Sequence, residues 1–135
     1  MLRIVDRVLI EKMLQDAAKS PRRRSHFNFH ESLDEPIHRL LIGAMPDTVF
    51  PIHRHPDKFE TMTVLTGKIE ITLYDADGKV LETRILGPNC ENAAIEIPPG
   101  MFHGNKVLLP SAMLEVKPGP YVPVGPEDTL VLPQA

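Results

Sequence analysis

Three histidines and one glutamate are the residues of this chain best suited to chemistry. His53 and His55 are separated by one residue, Glu60 follows shortly afterwards, and His103 comes much later in the chain. Imidazole and carboxylate groups are ligands that divalent transition metals accept. If the four side chains converge, they hold one such ion, with zinc or iron expected first and manganese, nickel or copper as alternatives.

Local structure must bring these ligands together. Residues 49–55 alternate in polarity, and a strand places residues i and i+2 on one face, so His53 and His55 are expected to point the same way. The Pro-Pro-Gly run at 98–100 predicts a tight turn that aims His103. The sequence therefore predicts a site built from one strand and one distant turn.

Glu60 has two alternative roles in such a site. It is either a fourth ligand or a base that accepts a hydrogen bond from a metal-bound water. Since imidazole binds metal only when it is neutral, metal affinity is expected to fall in mild acid.

Short strands are expected to form most of the molecule, because 14 prolines and 8 glycines interrupt the chain. One helix is predicted from Val8 to Lys19, capped by Asp6 and ended by Ser20-Pro21. Turns are predicted at Gly67 and at 75–78. The predicted strands are 37–45, 49–55, 60–66, 68–74, 79–86, 94–97, 106–109 and 112–117, which predict an all-β sandwich or small barrel with an N-terminal helix.

Composition predicts an ordinary single-domain protein. The chain has 135 residues and a formal net charge of −3, so a nucleic-acid partner is not expected. The single cysteine, Cys90, excludes an intramolecular disulfide. Neither a signal peptide nor an apolar run of membrane-spanning length is evident, which predicts a cytoplasmic protein without a membrane partner.

The ligand residues resemble the paired motifs of the cupin superfamily, a family of jelly-roll β-barrels. His53-x-His55-x4-Glu60-x6-Gly67 is similar to the first motif, and Pro98-x-Gly100-x2-His103 is similar to the centre of the second. The family's other glycines and asparagine are replaced by Asp47, Asn92 and Val107. The resemblance implies a jelly roll whose metal ligands are His53, His55, Glu60 and His103.

A narrower resemblance, to WbuC-type cupin metalloproteins, extends from about Arg22 to Tyr121. It rests on Arg24 with Asn28-Phe29-His30, on His38-Arg39-Leu40-Leu41, and on 114–121, Leu-Glu-Val-Lys-Pro-Gly-Pro-Tyr. It implies a link to O-antigen or lipopolysaccharide biosynthesis. The implied organisation is a helical segment, 1–21, packing on a cupin domain, 22–122, followed by a C-terminal tail, 123–135.

Other residues are weaker candidates for binding a substrate. Glu115 and Lys117 share a strand face that either lies in solvent or lines the cavity. Arg24, Asn28 and His30 either close over the barrel mouth and hold an anionic group or form a surface loop.

The remaining candidates are expected to play smaller parts. Tyr121 either contacts substrate or anchors the C-terminal segment. His26 and His38 are expected to be structural or exposed, and Arg54 to point away from the metal.

Three functions remain open at this point. The first is a metal-dependent enzyme, of isomerase, epimerase or oxygenase type, that acts on a sugar or a small polar acid, with Glu60 or His30 moving a proton. The second is a non-catalytic module that binds or senses a small anionic or sugar-like ligand. The third is a structural metal site with all positions filled by protein. Exposed sheet edges also predict a homodimer.

Overall fold

The computed structural model describes residues 1–133. Its helix, α1, spans Arg7–Lys19. The carboxylate of Asp6 caps it by accepting a hydrogen bond from the backbone N–H of Leu9 at 2.9 Å. Met13 and Ala17 are buried against the sheet. The predicted helix and its cap are confirmed.

Eight strands follow the helix, and every pair of named strands is antiparallel. They are β1 Arg24–Asn28, β2 Ile37–Ala44, β3 Ile52–His53, β4 Glu60–Tyr74, β5 Val80–Leu86, β6 Ala94–Ile97, β7 Phe102–Pro118 and β8 Thr129–Leu130. The hydrogen-bonded order is β1-β2-β7-β3-β8, and β4 pairs with β5, β6 and β7. This architecture confirms the predicted all-β jelly roll with one helix.

The inward faces of the sheet enclose one main apolar core. Its buried members are Ile42, Ala44, Met62, Val64, Ile69, Ile71, Leu86, Ile97, Val107 and Met113. A smaller cluster of Met13, Leu41 and Ala112 joins α1 to the outside of β2 and β7. Two packed layers of side chains therefore hold β2, β4 and β7 in place, and these strands carry much of the cavity described below.

The predicted turn at Gly67 is wrong, because β4 runs through it without reversing. Gly67 has φ +88° and lies where the register between β4 and β7 shifts. A Cβ built at this position would be 2.2 Å from Ser111 Oγ. The glycine therefore permits a bulge in a long strand. The predicted strands 106–109 and 112–117 are likewise parts of one strand, β7.

The predicted strand 49–55 is much shorter than expected. Only Ile52–His53 forms β3, next to Pro51, which lacks a backbone donor. The partners of β3 are His103 on β7 and the short strand β8.

The C-terminal segment returns to the barrel. A 3-10 turn at Pro126–Asp128 leads into β8, where Leu130 pairs with Ile52. Of the predicted tail, 123–135, residues 134–135 lie outside the described residues. Within residues 1–133, no helix is long and apolar enough to cross a membrane.

Candidate metal centre and its cavity

Three of the four predicted ligands meet at one point. The candidate ligand atoms of His53, Glu60 and His103 all lie within 4.8 Å of one another. The pairing of His53 with His103 across β3 and β7 brings the two imidazoles together. Glu60 begins β4 and is only 2% exposed. These residues could hold a metal ion.

The fourth predicted ligand, His55, approaches the same carboxylate from its other oxygen. Its Nε2 is 3.7 Å from Glu60 Oε1, and its ring centroid is 5.0 Å from that of His53. His55 Nε2 is buried and has no hydrogen-bond partner within residues 1–133. Arg54, between the two histidines, instead pairs with Asp128 and stacks on Phe102.

Backbone carbonyls orient two of the imidazoles. His53 Nδ1–H donates to the carbonyl oxygen of Pro51 at 2.9 Å, and His103 Nδ1–H donates to that of Met101 at 3.0 Å. In the neutral rings, the lone pair is therefore on Nε2, as metal-binding histidines require. Burial lowers the pKa of His53, which favours the neutral ring.

The contact between His103 and Glu60 fits a bound cation. His103 Nε2 lies 2.8 Å from Glu60 Oε2, yet this buried oxygen has no hydrogen-bond partner of good geometry in the part of the chain described. A neutral His103 would place a lone pair against a carboxylate oxygen. A proton or a metal ion between the two atoms removes that repulsion, so the donor set fits a divalent transition metal.

The pKa values of two carboxyl groups at this centre, Glu60 and Glu115, are shifted in opposite directions. Burial by itself would raise the pKa of Glu60, but the surrounding side chains of His103, His55 and Glu115 lower that pKa well below the usual range. Burial and the nearby charge of Glu60 raise the pKa of Glu115 well above its usual range. Of the two carboxyl groups, Glu115 therefore keeps its proton to the higher pH, and Glu60 is the one that ionises first.

Lys117 links the two carboxyl groups. Its Nζ is 3.8 Å from Glu60 Oε1 and 3.6 Å from Glu115 Oε2. Glu115 and Lys117 project from one face of β7. That face lines the cavity, so the alternative in which both residues are merely solvated does not describe this structure.

A cavity of about 640 Å³ opens beside His53, Glu60 and His103. All the residues named from sequence as candidate substrate contacts, together with His30, lie along its wall: Arg24, Asn28, His30, Glu115, Lys117 and Tyr121. This volume is in the range of small-molecule sites. The cavity can therefore admit a ligand that reaches the candidate metal centre.

Two further histidines form a stacked pair in the cavity wall. The rings of His30 and His38 are parallel, with centroids 4.1 Å apart. Arg39 N–H donates to His30 Nδ1 at 3.1 Å, and His38 Nε2–H donates to the carbonyl oxygen of Leu33 at 2.9 Å. These bonds fix both rings. His38 has the structural role expected of it, while the exposed His26 also lines the cavity.

Among the polar residues that line the cavity, Asn105 and Thr129 were not candidates from sequence. Asn105 follows His103 by two positions on β7, and this alternation was a usable signal. Its buried Oδ1 has no hydrogen-bond partner within residues 1–133. Thr129 reaches the cavity only because β8 returns to β3, which no local pattern indicates.

Comparison with known proteins places the chain in a family and in a fold. A family model described as "Domain of unknown function (DUF6016)" matches residues 5–86. No curated protein matches the chain.

Several solved structures resemble the chain, and they have the cupin fold. The protein TT1209 from Thermus thermophilus has a TM-score of 0.62 and 19% identity, covering 87% of this chain and 97% of that one. KdgF from Halomonas sp. has a TM-score of 0.57 and 20% identity, covering 73% and 82%. Oxalate decarboxylase from Bacillus subtilis, described with Mn(II) centres, has a TM-score of 0.57 and 18% identity, covering 81% of this chain but 28% of that one. At these identities the similarity establishes the fold alone.

Proposed function

The chain belongs to the DUF6016 family, whose description names no activity, and we propose from its site that it is a metal-dependent enzyme acting on a sugar or small polar acid. One observation carries the proposal. The donor atoms of His53, Glu60 and His103 gather at the wall of a ligand-sized cavity, beside a carboxyl group, Glu115, whose pKa burial raises.

The proposed ligands are His53, His55, Glu60 and His103. A divalent ion held there would polarise a carbonyl or hydroxyl group and stabilise negative charge on its oxygen. Glu60 supplies the negative charge of the ligand set, and the carbonyls of Pro51 and Met101 keep two imidazoles in the required tautomer.

Proton transfer is assigned to side chains of the cavity wall. Glu115 is the proposed proton donor, because burial and the nearby charge of Glu60 raise its pKa well above the usual range and so favour the protonated carboxyl. His30 is the second side chain proposed to move a proton, because it is buried and lines the same cavity. Such a pair suits an isomerase or epimerase, which moves a proton from one position to another.

An oxygenase is the second reaction type that this ligand set suits. Two histidines and a carboxylate facing an open cavity are ligands that redox-active iron accepts. Anaerobic loading with iron(II), followed by measurement of oxygen consumption, separates the two types. Turnover with zinc alone would exclude the oxygenase.

The biological setting stays a proposal that rests on sequence resemblance. Similarity to WbuC-type cupins between Arg22 and Tyr121 supports a sugar substrate from O-antigen or lipopolysaccharide biosynthesis. The predicted cytoplasmic location stays a prediction.

Metal analysis tests the proposed ligand set first. Protein purified without added metal is expected to contain about one equivalent of a transition metal, and His103→Ala and His55→Ala are expected to lose it. His38→Ala is the control, because this buried histidine lies in the cavity wall and not among the proposed ligands. Full metal occupancy in His103→Ala would refute the ligand set.

A non-catalytic binding module is the alternative, and the exposure of His26 and Asn28 at the cavity mouth favours it. It predicts saturable binding of a ligand with no turnover under any metal loading. Product formation that Glu115→Gln abolishes, with metal content unchanged, would exclude it.

A homodimer is also proposed. Among the strands within residues 1–133, β5 pairs with β4 alone, and three of its apolar side chains are exposed, Val80 at 54%, Leu81 at 53% and Ile85 at 40%. An edge of this kind is commonly covered by another chain. Light scattering coupled to size-exclusion chromatography tests the dimer, and replacement of Leu81 by Lys is expected to dissociate it.

A further inference from the structure

Strand β1 presents a row of polar side chains to the cavity. Arg24, His26 and Asn28 alternate along the strand and all line the cavity, and Arg22 lines it just before the strand begins. Ser25 points the opposite way, and its hydroxyl donates to the carbonyl oxygen of Met13 in α1 at 2.7 Å. The polar row is therefore a property of one strand face.

The Arg24 guanidinium is held in place by contacts that leave its charge without a partner. Nη1 donates to the carbonyl oxygen of Val49 at 2.8 Å, and the guanidinium carbon lies 4.8 Å from the centroid of the Phe50 ring. Within residues 1–133, neither Arg24 nor Arg22 lies within 4.0 Å of a carboxylate oxygen. A fixed arginine with unused donors is suited to two-pronged binding of an oxyanion.

The neighbouring Arg23 differs from Arg22 and Arg24 because it is paired with a carboxylate. Its Nε donates to both carboxylate oxygens of Asp47, at 2.9 and 3.0 Å, and its side chain does not line the cavity. Of the three consecutive arginines, the two that have no carboxylate partner in the described part of the chain are the two that line the cavity.

His26 lies within the field of these cations. Burial, followed by the charges of Arg24, Arg22 and Lys117, lowers its pKa. The ring is therefore a neutral hydrogen-bonding group among positive charges. Lys117 also lies 3.8 Å from Glu60, so these residues adjoin the candidate metal centre along one cavity wall.

We propose that Arg22, Arg24 and His26 form a subsite for the phosphoryl group of a ligand whose other end reaches the candidate metal centre. The subsite stands on its own contacts, whereas the statement about the other end rests on the proposed function.

Charge selects a phosphoryl group over a single carboxylate. The charge of Lys117 is balanced by the acidic groups within 4.0 Å of it, which leaves two guanidinium charges to be neutralised. A phosphate monoester carries about −1.5 to −2 at pH 7 and offers three acceptor oxygens. A carboxylate would neutralise one guanidinium and leave the other unpaired.

Calorimetric titration of the full chain with inorganic phosphate tests the subsite. Chelator-treated protein is used first, so that phosphate cannot bind a metal ion. Arg24→Gln and Arg22→Gln are each expected to weaken phosphate binding about tenfold or more. Arg24→Lys is expected to retain only part of the affinity, because lysine keeps the positive charge but lacks the planar guanidinium group that donates two parallel hydrogen bonds. Arg84→Gln, on β5, is the matched loss of charge outside the cavity and is expected to change affinity by less than about twofold.

A second titration, with metal-loaded protein, tests the two-ended ligand. Phosphoglycolate, which carries a phosphoryl group and a carboxylate, is expected to bind more tightly than either glycolate or phosphate. Equal binding of glycolate and phosphoglycolate would overturn the proposal, as would an equal loss in Arg84→Gln and Arg24→Gln. Phosphate binding to the chelated protein with no metal uptake would retain the subsite and refute only the proposed function. Thermal unfolding of each variant identifies any that is misfolded, and Arg24→Lys then carries the test.

Discussion

Replacing Asp128 by alanine is expected to weaken metal binding at the candidate metal centre, although Asp128 is not one of the proposed ligands. Arg54 lies between His53 and His55, and its Nε donates to Asp128 Oδ1 at 2.9 Å. The backbone N–H of Arg54 also donates to the carbonyl oxygen of Asp128 at 2.9 Å. The C-terminal segment thus holds the stretch 53–55, which carries two proposed ligands.

The expected size of the effect follows from burial. The side chain of Asp128 is 13% exposed and that of Arg54 33%, so this ion pair is shielded more than a surface pair. A hydrogen bond to a charged group contributes about 1.5–3 kcal/mol when buried, and exposed pairs contribute about 0–1 kcal/mol. We expect Asp128→Ala to lower the free energy of unfolding by about 1–2 kcal/mol, which corresponds to a fall in Tm of roughly 3–10 °C.

The effect on metal binding should be larger than this loss of stability suggests. Groups that orient metal ligands typically change metal affinity by about 10–100-fold when they are removed. Competition with a chelator of known affinity measures this change, and calorimetry of metal-free protein measures Tm.

The ion pair between Glu82 and Arg84 supplies the control, because its side chains are 46% and 55% exposed. Glu82→Ala should alter Tm by less than about 2 °C and leave metal affinity unchanged. If Asp128→Ala behaves like Glu82→Ala in both measurements, the C-terminal segment does not position the ligands and the reasoning is wrong.

Two further predictions concern the fold. Gly67→Ala should lower the free energy of unfolding by about 3–5 kcal/mol, because φ is +88° and the new Cβ would overlap Ser111. Gly100→Ala, with φ +80° and nothing nearer to its Cβ than 3.8 Å, should lower it by only about 1–2 kcal/mol. Denaturant unfolding compares the two variants, and equal losses would exclude the overlap as the cause. Burial lowers the pKa of His30 below 6.5. As the pH falls, the unfolded chain therefore binds the proton before the folded chain does. The free energy of unfolding should fall below about pH 6.5 and stop falling once the pH is below the lower pKa of the folded state. This residue contributes at most about 1.4 kcal/mol per pH unit. Urea unfolding between pH 7.5 and 5 should show a smaller slope in His30→Asn, and an unchanged slope would contradict this origin.

Local pattern was sufficient for the helix, for parts of most strands and for the donor residues of the candidate metal centre. The cap at Asp6 and the apolar spacing after it determine a helix wherever the chain lies. The alternation of Glu115 and Lys117 placed them on one strand face, and the structure decided which face lines the cavity.

Strand continuity could not be predicted from local pattern. A glycine between two alternating segments predicts a turn. Gly67 instead forms a bulge with positive φ, because β7 pairs with β4 on both sides of it. Similarly, the contribution of Thr129 to the cavity depends on a chain reversal far from His53 in sequence.

The sequence by itself determined which donor atoms the protein possesses and which of them share a strand face, because side-chain type and period-two alternation are local properties. Only the tertiary structure decided their chemical states. Glu60 and Glu115 are the same residue type, and both are buried. Their pKa values move apart because the side chains of His103, His55 and Glu115 favour the ionised form of Glu60, whereas Glu115 is buried against the negative charge of Glu60. Proximity of this kind is created by strand pairing across the barrel, and the order of residues along the chain does not contain it.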